Sequence, residues 1–326
     1  MSAESLPHVA VQHCPACDGT RISTGVLPRG RYRMESCHDC GLRWRSDAPS
    51  QEELAGLYAS GFYVPAVARG GLLVRQLHRL SNQIRLREIA DLPPGRLLDV
   101  GSGKGRFLDA ARHAGWDVTG VEFAGSSADA TESAYGINVV RGDFADVPLG
   151  HDFDVVTLWH VLEHLPDPVG ALARAADLLK PGGRLVVSVP NNESLQARLG
   201  RDEWFHLDSS RHLFHFGTSS LSAMIARTGF VVDRIGHFYP ELEVIGVVQT
   251  IANKVVPEQD LLYRYAKRDP SAPWSRDVAI SAGVALAMLP LAVVWSGVAP
   301  IMRSGASIQL VAHPASTKEI RPPSIS

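Results

Sequence analysis

The chain has 326 residues, of which 45% are hydrophobic and 20% are charged, and this content excludes a wholly disordered chain. Its 32 Lys and Arg residues nearly balance 34 Asp and Glu residues, so the formal net charge of -2 excludes the strongly basic surface that non-specific nucleic-acid binding requires. The length fits one large domain with a smaller one. The first residues have neither a basic start nor an apolar stretch, so we expect no secretory signal and a cytoplasmic location.

All four cysteines lie within the first 40 residues, in two pairs that each enclose two residues: Cys14, Cys17, Cys37 and Cys40. This spacing predicts a zinc ribbon over residues 1–48, in which four thiolates bind one zinc ion tetrahedrally. Disulfides and a redox dithiol are the alternatives, but a cytoplasmic chain disfavours disulfides and a redox CxxC normally occurs once. Four thiolates leave no open coordination position, so we expect the metal to have a structural role.

A helical linker is predicted over residues 49–94, with helices at 51–63 and 72–91 that end before Pro93-Pro94-Gly95. Strands and helices then alternate, which predicts a parallel sheet covered by helices on both faces. The predicted strands are 96–100, 117–122, 137–141, 153–158, 184–189, 230–238 and 307–313, and the predicted helices are 104–114, 126–135, 168–179 and 219–228.

A glycine-rich turn follows the first of these strands, with glycines at positions 101, 103 and 105. Glycines at such a turn let the backbone pass close to a ligand and direct N–H groups toward it. The dinucleotide pattern G-x-G-x-x-G is not kept, because its third glycine position is Arg106. Asp99, just before the turn, would repel a pyrophosphate and suits a ligand that carries an amine or sulfonium cation.

Carboxylates also follow the next two predicted strands. Glu122 closes the second strand, where a carboxylate can accept both hydroxyls of a ribose. Gly142, Asp143 and Phe144 follow the third strand, where Asp143 could accept the exocyclic amine of adenine and Phe144 could form an apolar wall. Taken alone, each carboxylate could instead be a helix cap or a turn residue.

Two more segments complete a pattern: Trp159–Pro168 follows the fourth strand, and Leu179–Gly183 precedes the fifth. Together with the glycine turn and the two carboxylates, they resemble the class I S-adenosylmethionine-dependent methyltransferases over about residues 95–315. The cysteine pairs and the segment Leu57–Tyr63 also resemble the front of a bacterial subgroup whose members modify sugars, surface polysaccharides or other small metabolites.

The resemblance implies an α/β fold with a seven-stranded Rossmann-like sheet in the order 3-2-1-4-5-7-6, whose last two strands form a reversed hairpin. It implies S-adenosylmethionine as cofactor, with its methionine part against the glycine turn and its ribose and adenine against the ends of the next two strands. The residues expected to contact it are Asp99, Gly101, Ser102, Gly103, Gly105, Glu122, Asp143 and Phe144, with Trp159 and His160 beside the sulfonium.

The connection over residues 190–217 is long and rich in aromatic and histidine residues, which favours an acceptor pocket. Methyl transfer to a hydroxyl is helped by a base, and a histidine can serve near neutral pH. We therefore expect His164 and His212 as base candidates, with Glu163 as a base or as a partner that orients a histidine. Each could instead be a hydrogen-bonded structural residue, and Glu163 a carboxylate favoured at a helix start.

No charge interrupts the segment from Val278 to Met302, which is long and apolar enough to cross a membrane. Pro290 and the strand that follows favour instead two short helices broken at Pro290. They are expected to pack on the core or in a homodimer, or to lie on the inner membrane as a peripheral contact. Residues 316–326 are expected to be a disordered tail.

These features predict methyl transfer from S-adenosylmethionine to a small-molecule acceptor. The expected reaction is O-methylation of a saccharide or small metabolite, with a lipid-linked acceptor as one version. Carbon methylation of a keto-sugar nucleotide and a non-catalytic, membrane-associated cofactor-binding scaffold are the alternatives. A nucleic-acid partner is not expected, because basic and aromatic residues are not interleaved.

Overall fold

The computed structural model describes residues 12–26, 32–47, 72–208, 210–267 and 269–316. The helix expected at 51–63, the first half of the 49–94 linker and residues 317–326 of the expected tail lie outside these ranges. Within them, the strands are β1 (Ile22–Val26), β2 (Arg33–Cys37), β3 (Arg43–Arg45), β4 (Arg96–Val100), β5 (Asp117–Glu122), β6 (Val139–Arg141), β7 (Phe153–Trp159), β8 (Leu179–Pro190), β9 (Phe214–His215), β10 (Phe230–Gly236) and β11 (Ser307–Pro314). The helices are α1 (Leu72–Arg87), α2 (Arg106–His113), α3 (Gly125–Tyr135), α4 (Pro168–Leu178), α5 (Leu195–Gly200), α6 (Thr218–Arg227), α7 (Pro240–Val255), α8 (Leu261–Ala266) and α9 (Arg276–Val298).

The main sheet has seven strands in the order β10-β11-β8-β7-β4-β5-β6. The pairs from β8 to β6 are parallel, whereas β11 is antiparallel to both β8 and β10. Read from the other edge, this is the predicted order 3-2-1-4-5-7-6 with its reversed final hairpin, so the predicted fold class is confirmed.

The core lies on both faces of this sheet, because successive residues of a strand point to opposite sides. Leu98, Val156 and Val187 belong to one apolar cluster, which also contains residues of α4 and α6. Their neighbours Leu97 and Val155 belong to a second cluster, which contains residues of α2. Burial on both sides explains why the central strands are almost wholly apolar in sequence.

A second sheet of four strands has the order β1-β2-β3-β9. Its last strand comes from the long connection after β8, and Arg43 pairs with His215 and Trp44 with Phe214. Cys14, Cys37 and Cys40 are buried in the same apolar cluster as Phe214. The domain boundaries at 48 and 95 stay a prediction, but the cysteine region and the α/β region share a sheet and a core.

The predicted break at Pro290 is wrong, because α9 runs as one helix through that proline. Proline removes the hydrogen bond to the carbonyl of residue 286, but Leu286 and Pro290 both lie on the exposed side, where water can satisfy that carbonyl. The two halves are each held by packing: Val278 contacts the cluster that contains Leu261, and Ala292 is fully buried. Among the described residues, α9 is the one helix long and apolar enough to cross a membrane.

Candidate active site

A cavity of about 820 Å³ opens where β4 to β8 end at their carboxyl termini. Gly101, Glu122, Gly142, Trp159 and Pro190, which lie at or just after the ends of these five strands, all contribute to its wall. This edge is where open α/β sheets bind ligands, because the loops there diverge and leave a crevice.

The glycine turn is held in a conformation that other residues rarely adopt. Gly101 and Gly105 have φ angles of 65° and 66°. A Cβ atom at Gly101 would lie 2.5 Å from Cγ2 of Val161, and one at Gly105 would lie 2.2 Å from Cγ2 of Thr131. Glycine is therefore required at both positions by backbone angle and by space.

The carboxylate of Glu122 is tied to the turn by two backbone hydrogen bonds. Gly103 N donates to Oε2 at 2.7 Å, and Ala124 N donates to Oε1 at 3.0 Å. Burial raises the pKa of Glu122, and the two N–H donors oppose that rise. Because each carboxylate oxygen has a second lone pair and Glu122 lines the cavity, it can also accept hydroxyl groups of a ligand.

Asp143 and Phe144 line the cavity beside the end of β6. Oδ1 of Asp143 accepts a hydrogen bond from Ala145 N at 2.9 Å, which fixes the carboxylate. The Phe144 side chain is buried, and the guanidinium carbon of Arg174 lies 5.4 Å from its ring centroid. This pair can offer one polar acceptor and one apolar face to a planar group.

Three predicted cofactor residues shape the turn without lining the cavity: Asp99, Ser102 and Gly105. The buried Asp99 carboxylate accepts a hydrogen bond from Thr157 Oγ1 at 2.6 Å, and burial raises its pKa to about 7. Ser102 N donates to the carbonyl of Val121, so the serine anchors the turn on β5. Asp99 therefore faces β7 and not the cavity.

Trp159 and His160 line the cavity at the end of β7. The Trp159 ring packs edge-on against Phe107 at 5.4 Å, and the Arg85 guanidinium carbon lies 5.2 Å from its centroid. His160 has a φ angle of 56°, and its Nε2 lies 3.2 Å from the hydroxyl of Ser188. Burial lowers the pKa of His160 to about 3, so its ring is neutral at pH 7.

The three predicted base candidates converge in the same cavity: Glu163, His164 and His212. One donor atom from each lies within 4.8 Å of the others, and the two imidazole centroids are 4.7 Å apart. The bond from Leu213 N to the carbonyl of Glu163, at 2.8 Å, brings the loop back to this point. Burial raises the pKa of Glu163 to about 7 and holds the pKa of His212 well below its usual range.

Sequence reasoning missed the part of the wall that comes from helices distant in the chain. These residues are His78 of α1, Glu241, Leu242 and Ile245 of α7, and Tyr263, Ala266 and Lys267 at α8. Lys104 and Arg106 also line the cavity, and they lie within the helix predicted at 104–114. No element was assigned to α7, although Pro240 at its first turn with two acidic residues beside it is a signal of a helix start. By contrast, the predicted acceptor loop does reach the cavity, through Phe205, His206, Asp208 and Arg211.

The four cysteines converge at a separate point, outside the wall of this cavity. The Sγ atoms of Cys14 and Cys40 lie 3.6 Å apart, as do those of Cys17 and Cys37. All four sulfurs lie within 4.8 Å of one another, and Asp39 N donates to Cys37 Sγ at 3.4 Å. Sulfurs bound tetrahedrally to zinc at about 2.3 Å would be about 3.8 Å apart, so this donor set fits one zinc ion.

A Rossmann-like sheet with a reversed final hairpin and a glycine turn at its cavity is the arrangement that the resemblance to the class I methyltransferases implies. The family model described as "Methyltransferase domain" matches residues 69–235, which is half of the chain. The protein therefore belongs to this methyltransferase family.

Curated relatives are named ubiquinone biosynthesis O-methyltransferase. The protein from Xanthomonas campestris pv. campestris (strain B100) is 36% identical over 129 residues, which are 36% of this chain and 53% of that protein. The protein from Pectobacterium carotovorum subsp. carotovorum (strain PC1) is 33% identical over 131 residues, which are 37% of this chain and 54% of that protein. The chain thus spans about half the length of the curated relatives it matches.

Solved structures of similar fold include S-adenosylmethionine-dependent methyltransferases from two organisms. The one from Archaeoglobus fulgidus has a TM-score of 0.47 and 20% identity, over 72% of this chain and 93% of that chain. The one from Thermotoga maritima has a TM-score of 0.44 and 19% identity, over 73% of this chain and 91% of that chain.

Proposed function

We propose that this methyltransferase transfers a methyl group to a hydroxyl oxygen of a small molecule, such as a saccharide or another small metabolite. The observation that carries the proposal is the cluster of Glu163, His164 and His212 in the same cavity as the glycine turn. A hydroxyl must lose its proton to become a good nucleophile, whereas a neutral amine attacks through its lone pair. The names of the curated relatives, which are O-methyltransferases, support oxygen as the accepting atom.

In this proposal the cofactor occupies the half of the cavity formed by the ends of β4, β5 and β6. The backbone of Gly101 and Gly103 lies against its methionine part, Glu122 accepts the ribose hydroxyls, and Asp143 with Phe144 holds the adenine. S-adenosylmethionine supplies an electrophilic methyl group on a cationic sulfur when it is bound. Asp99 acts from behind the turn, since its carboxylate bonds to Thr157 rather than lining the cavity.

The segment from Trp159 to His164 connects the cofactor half of the cavity to the acceptor half. Val161 packs against Gly101, and Glu163 and His164 follow two and three residues later, in the short 3-10 helix Leu162–His164. This arrangement would hold the acceptor oxygen close to the methyl group, and alignment of the reacting atoms supplies much of the rate in such displacements.

The test is transfer from S-adenosylmethionine that carries a carbon-13 methyl group, first to fractionated metabolite extracts and then to the purified acceptor. We expect a product whose labelled carbon has the chemical shift of a methyl ether or ester. A labelled N-methyl or C-methyl product would overturn the proposal, and the C-methyl result would favour the keto-sugar alternative. Cofactor binding without any labelled product, across extracts that contain membranes, would favour the scaffold alternative.

We further propose that the cysteine cluster holds one structural zinc ion through Cys14, Cys17, Cys37 and Cys40. A zinc ion bound by all four thiolates would have no free position for an acceptor, so it would stabilise the small sheet rather than act in transfer. Because β9 continues this sheet, the zinc would also support the connection that carries His212.

A membrane surface is the second partner we propose, with a lipid-linked acceptor as the corresponding substrate. The outer face of α9 and the turn after it exposes large apolar side chains, including Leu286 at 76% and Ile301 at 83%. The helix cannot cross a bilayer alone, because β11 follows it and pairs with β8 inside the domain. Its position beside α7, whose Leu242 and Ile245 line the cavity, would bring the acceptor half close to the lipid surface.

Flotation with lipid vesicles tests this contact. Leu286→Ser and Ile301→Ser together should reduce the vesicle-bound fraction several-fold, because each apolar side chain contributes to partitioning. Val26→Ser is the matched control, since Val26 in β1 is 68% exposed. Vesicle binding that is unchanged by the double substitution would refute the contact, and a dimer that dissociates in the double variant would assign this face to self-association.

A further inference from the structure

The group formed by Glu163, His164 and His212 has the composition of a metal site as well as that of a base. Two imidazoles and one carboxylate place their donor atoms within 4.8 Å of one another. Three ligands bound tetrahedrally to one ion at about 2.1 Å would be about 3.4 Å apart, so closure around an ion requires each donor atom to move by less than about 1 Å.

The buried Glu163 carboxylate supplies the second, independent observation. Its side chain is 1% exposed, and neither oxygen accepts a hydrogen bond from any residue that the structure describes. His160 Nδ1 lies 3.4 Å from Oε1 without a hydrogen bond to it. A buried carboxylate is strongly disfavoured unless a charge or donors satisfy it, and a cation in the cavity would do so.

The two histidines are already oriented as ligands. Nδ1 of His164 lies 3.1 Å from the carbonyl oxygen of Arg211, and Nδ1 of His212 lies 2.9 Å from that of His206. A carbonyl oxygen only accepts, so each Nδ1 carries the proton and donates it, and each Nε2 keeps a free lone pair. A histidine that binds a metal through one ring nitrogen commonly donates a hydrogen bond from the N–H of its other ring nitrogen to a carbonyl oxygen. That hydrogen bond fixes the orientation of the ring and its tautomer.

We propose that Glu163, His164 and His212 bind a divalent transition-metal cation, such as Zn²⁺, Mn²⁺ or Fe²⁺, at the acceptor half of the cavity. Two nitrogens and one carboxylate oxygen suit these ions, whereas Mg²⁺ and Ca²⁺ prefer oxygen ligands alone. Three protein ligands leave a position open toward the cavity, unlike the four thiolates of the cysteine cluster.

This inference rests on the proposed O-methylation and gives it a means of activating the acceptor. A hydroxyl that binds the open position becomes more acidic, and its proton leaves to solvent. The resulting oxygen then forms a bond to the methyl carbon as the carbon–sulfur bond breaks and its electron pair stays on sulfur. His164 and His212 would thus act as ligands, and the cation would do the work expected of a general base.

The test uses the full-length protein with Co²⁺, followed by absorption spectroscopy and calorimetry. Cobalt bound to thiolates gives an intense charge-transfer band in the near ultraviolet, whereas cobalt bound to nitrogen and oxygen gives only weak visible bands. We expect one equivalent with each signature in the wild type. Glu163→Gln and, separately, His212→Gln should weaken only the nitrogen/oxygen equivalent, by at least about a hundredfold. His113→Gln, at an exposed histidine of α2, is the control.

A wild-type protein that binds cobalt only with the thiolate signature would refute the metal site. If carbon-13 O-methyl product still forms in that case without added metal, the cluster acts as a base and the proposed function survives. If the second equivalent binds but the product is not an O-methyl compound, the metal site stands and the proposed function fails. Circular dichroism and retained cofactor binding in the two variants would show that loss of metal is not loss of the fold.

Discussion

Replacement of Glu122 by glutamine separates its role in holding the glycine turn from its proposed role in binding the ribose of the cofactor. In the protein it accepts N–H groups from Gly103 and Ala124 and still faces the cavity. An amide has one oxygen, so one of these N–H groups would then face an NH₂ group. Burial raises the pKa of the Glu122 carboxyl, which means that burial disfavours its charged form. Because a neutral amide avoids that cost, it partly offsets the lost hydrogen bond, and we expect only a small change in thermal stability.

The effect on cofactor affinity should be larger. A hydrogen bond to a charged acceptor contributes about 1.5–3 kcal/mol, and the ribose would lose such an acceptor. Since about 1.4 kcal/mol corresponds to a tenfold change, the Kd for S-adenosylmethionine should rise by about 10- to 100-fold in Glu122→Gln. Isothermal titration calorimetry measures this change directly.

Glu132→Gln is the matched control, because Glu132 lies on the neighbouring α3 and bonds to Arg141 at 2.6 Å outside the cavity. It should bind the cofactor as the wild type does. A Glu122→Gln protein that is folded and binds S-adenosylmethionine within about twofold of the wild type would refute the ribose contact. In that case Glu122 would serve only to hold the turn.

Three further predictions test the turn, the cysteine cluster and a buried acid. Gly101→Ala should lower thermal stability and abolish cofactor binding, because the new Cβ would lie 2.5 Å from Val161. Gly125→Ala is the control and should do neither, because no atom lies within 4 Å of its new Cβ. Equal melting curves for the two variants would contradict the steric argument. Cys37→Ser should lose the zinc, as measured by elemental analysis, and should increase hydrogen exchange in β9, as measured by mass spectrometry. A full zinc content in this variant would contradict the assignment of four thiolate ligands. Asp99 has its pKa raised to about 7 in the folded protein, so its contribution to stability is present at low pH and is lost as the pH rises through 7. The free energy of unfolding of the wild type should therefore fall by about 4 kcal/mol relative to Asp99→Asn between about pH 4, where the unfolded chain loses this proton, and pH 7, where the folded protein loses it. Parallel curves for the two proteins over this range would show that the folded-state pKa of Asp99 is not raised.

The strands, the helices that flank them and the glycine turn were predictable because their signals are local. A strand buried on both faces is a short apolar run, and a turn of positive φ calls for glycine, so a few adjacent residues carry the information. The order of the seven strands came from the resemblance rather than from any local pattern. The pairing of the strands in the structure confirms that order.

Contacts between distant segments were not predictable in this way. Pro290 is a helix breaker in isolation, but packing on both sides of it keeps α9 continuous. The pairing of β3 with β9 involves a strand of two residues, too short to leave a periodic signal. The part of the cavity wall formed by α7 and α8 also gave no local motif.

The sequence alone therefore determined where each functional segment lies along the chain: the cysteine pairs, the glycine turn, Glu122 and the histidine-rich connection. Only the tertiary structure decided that Asp99 faces Thr157 and that His212 meets Glu163 and His164 in the cavity at the carboxyl ends of the strands. The physical reason is that backbone preferences act over a few residues, whereas the meeting of remote side chains depends on how the whole chain buries its apolar surface and satisfies its hydrogen bonds.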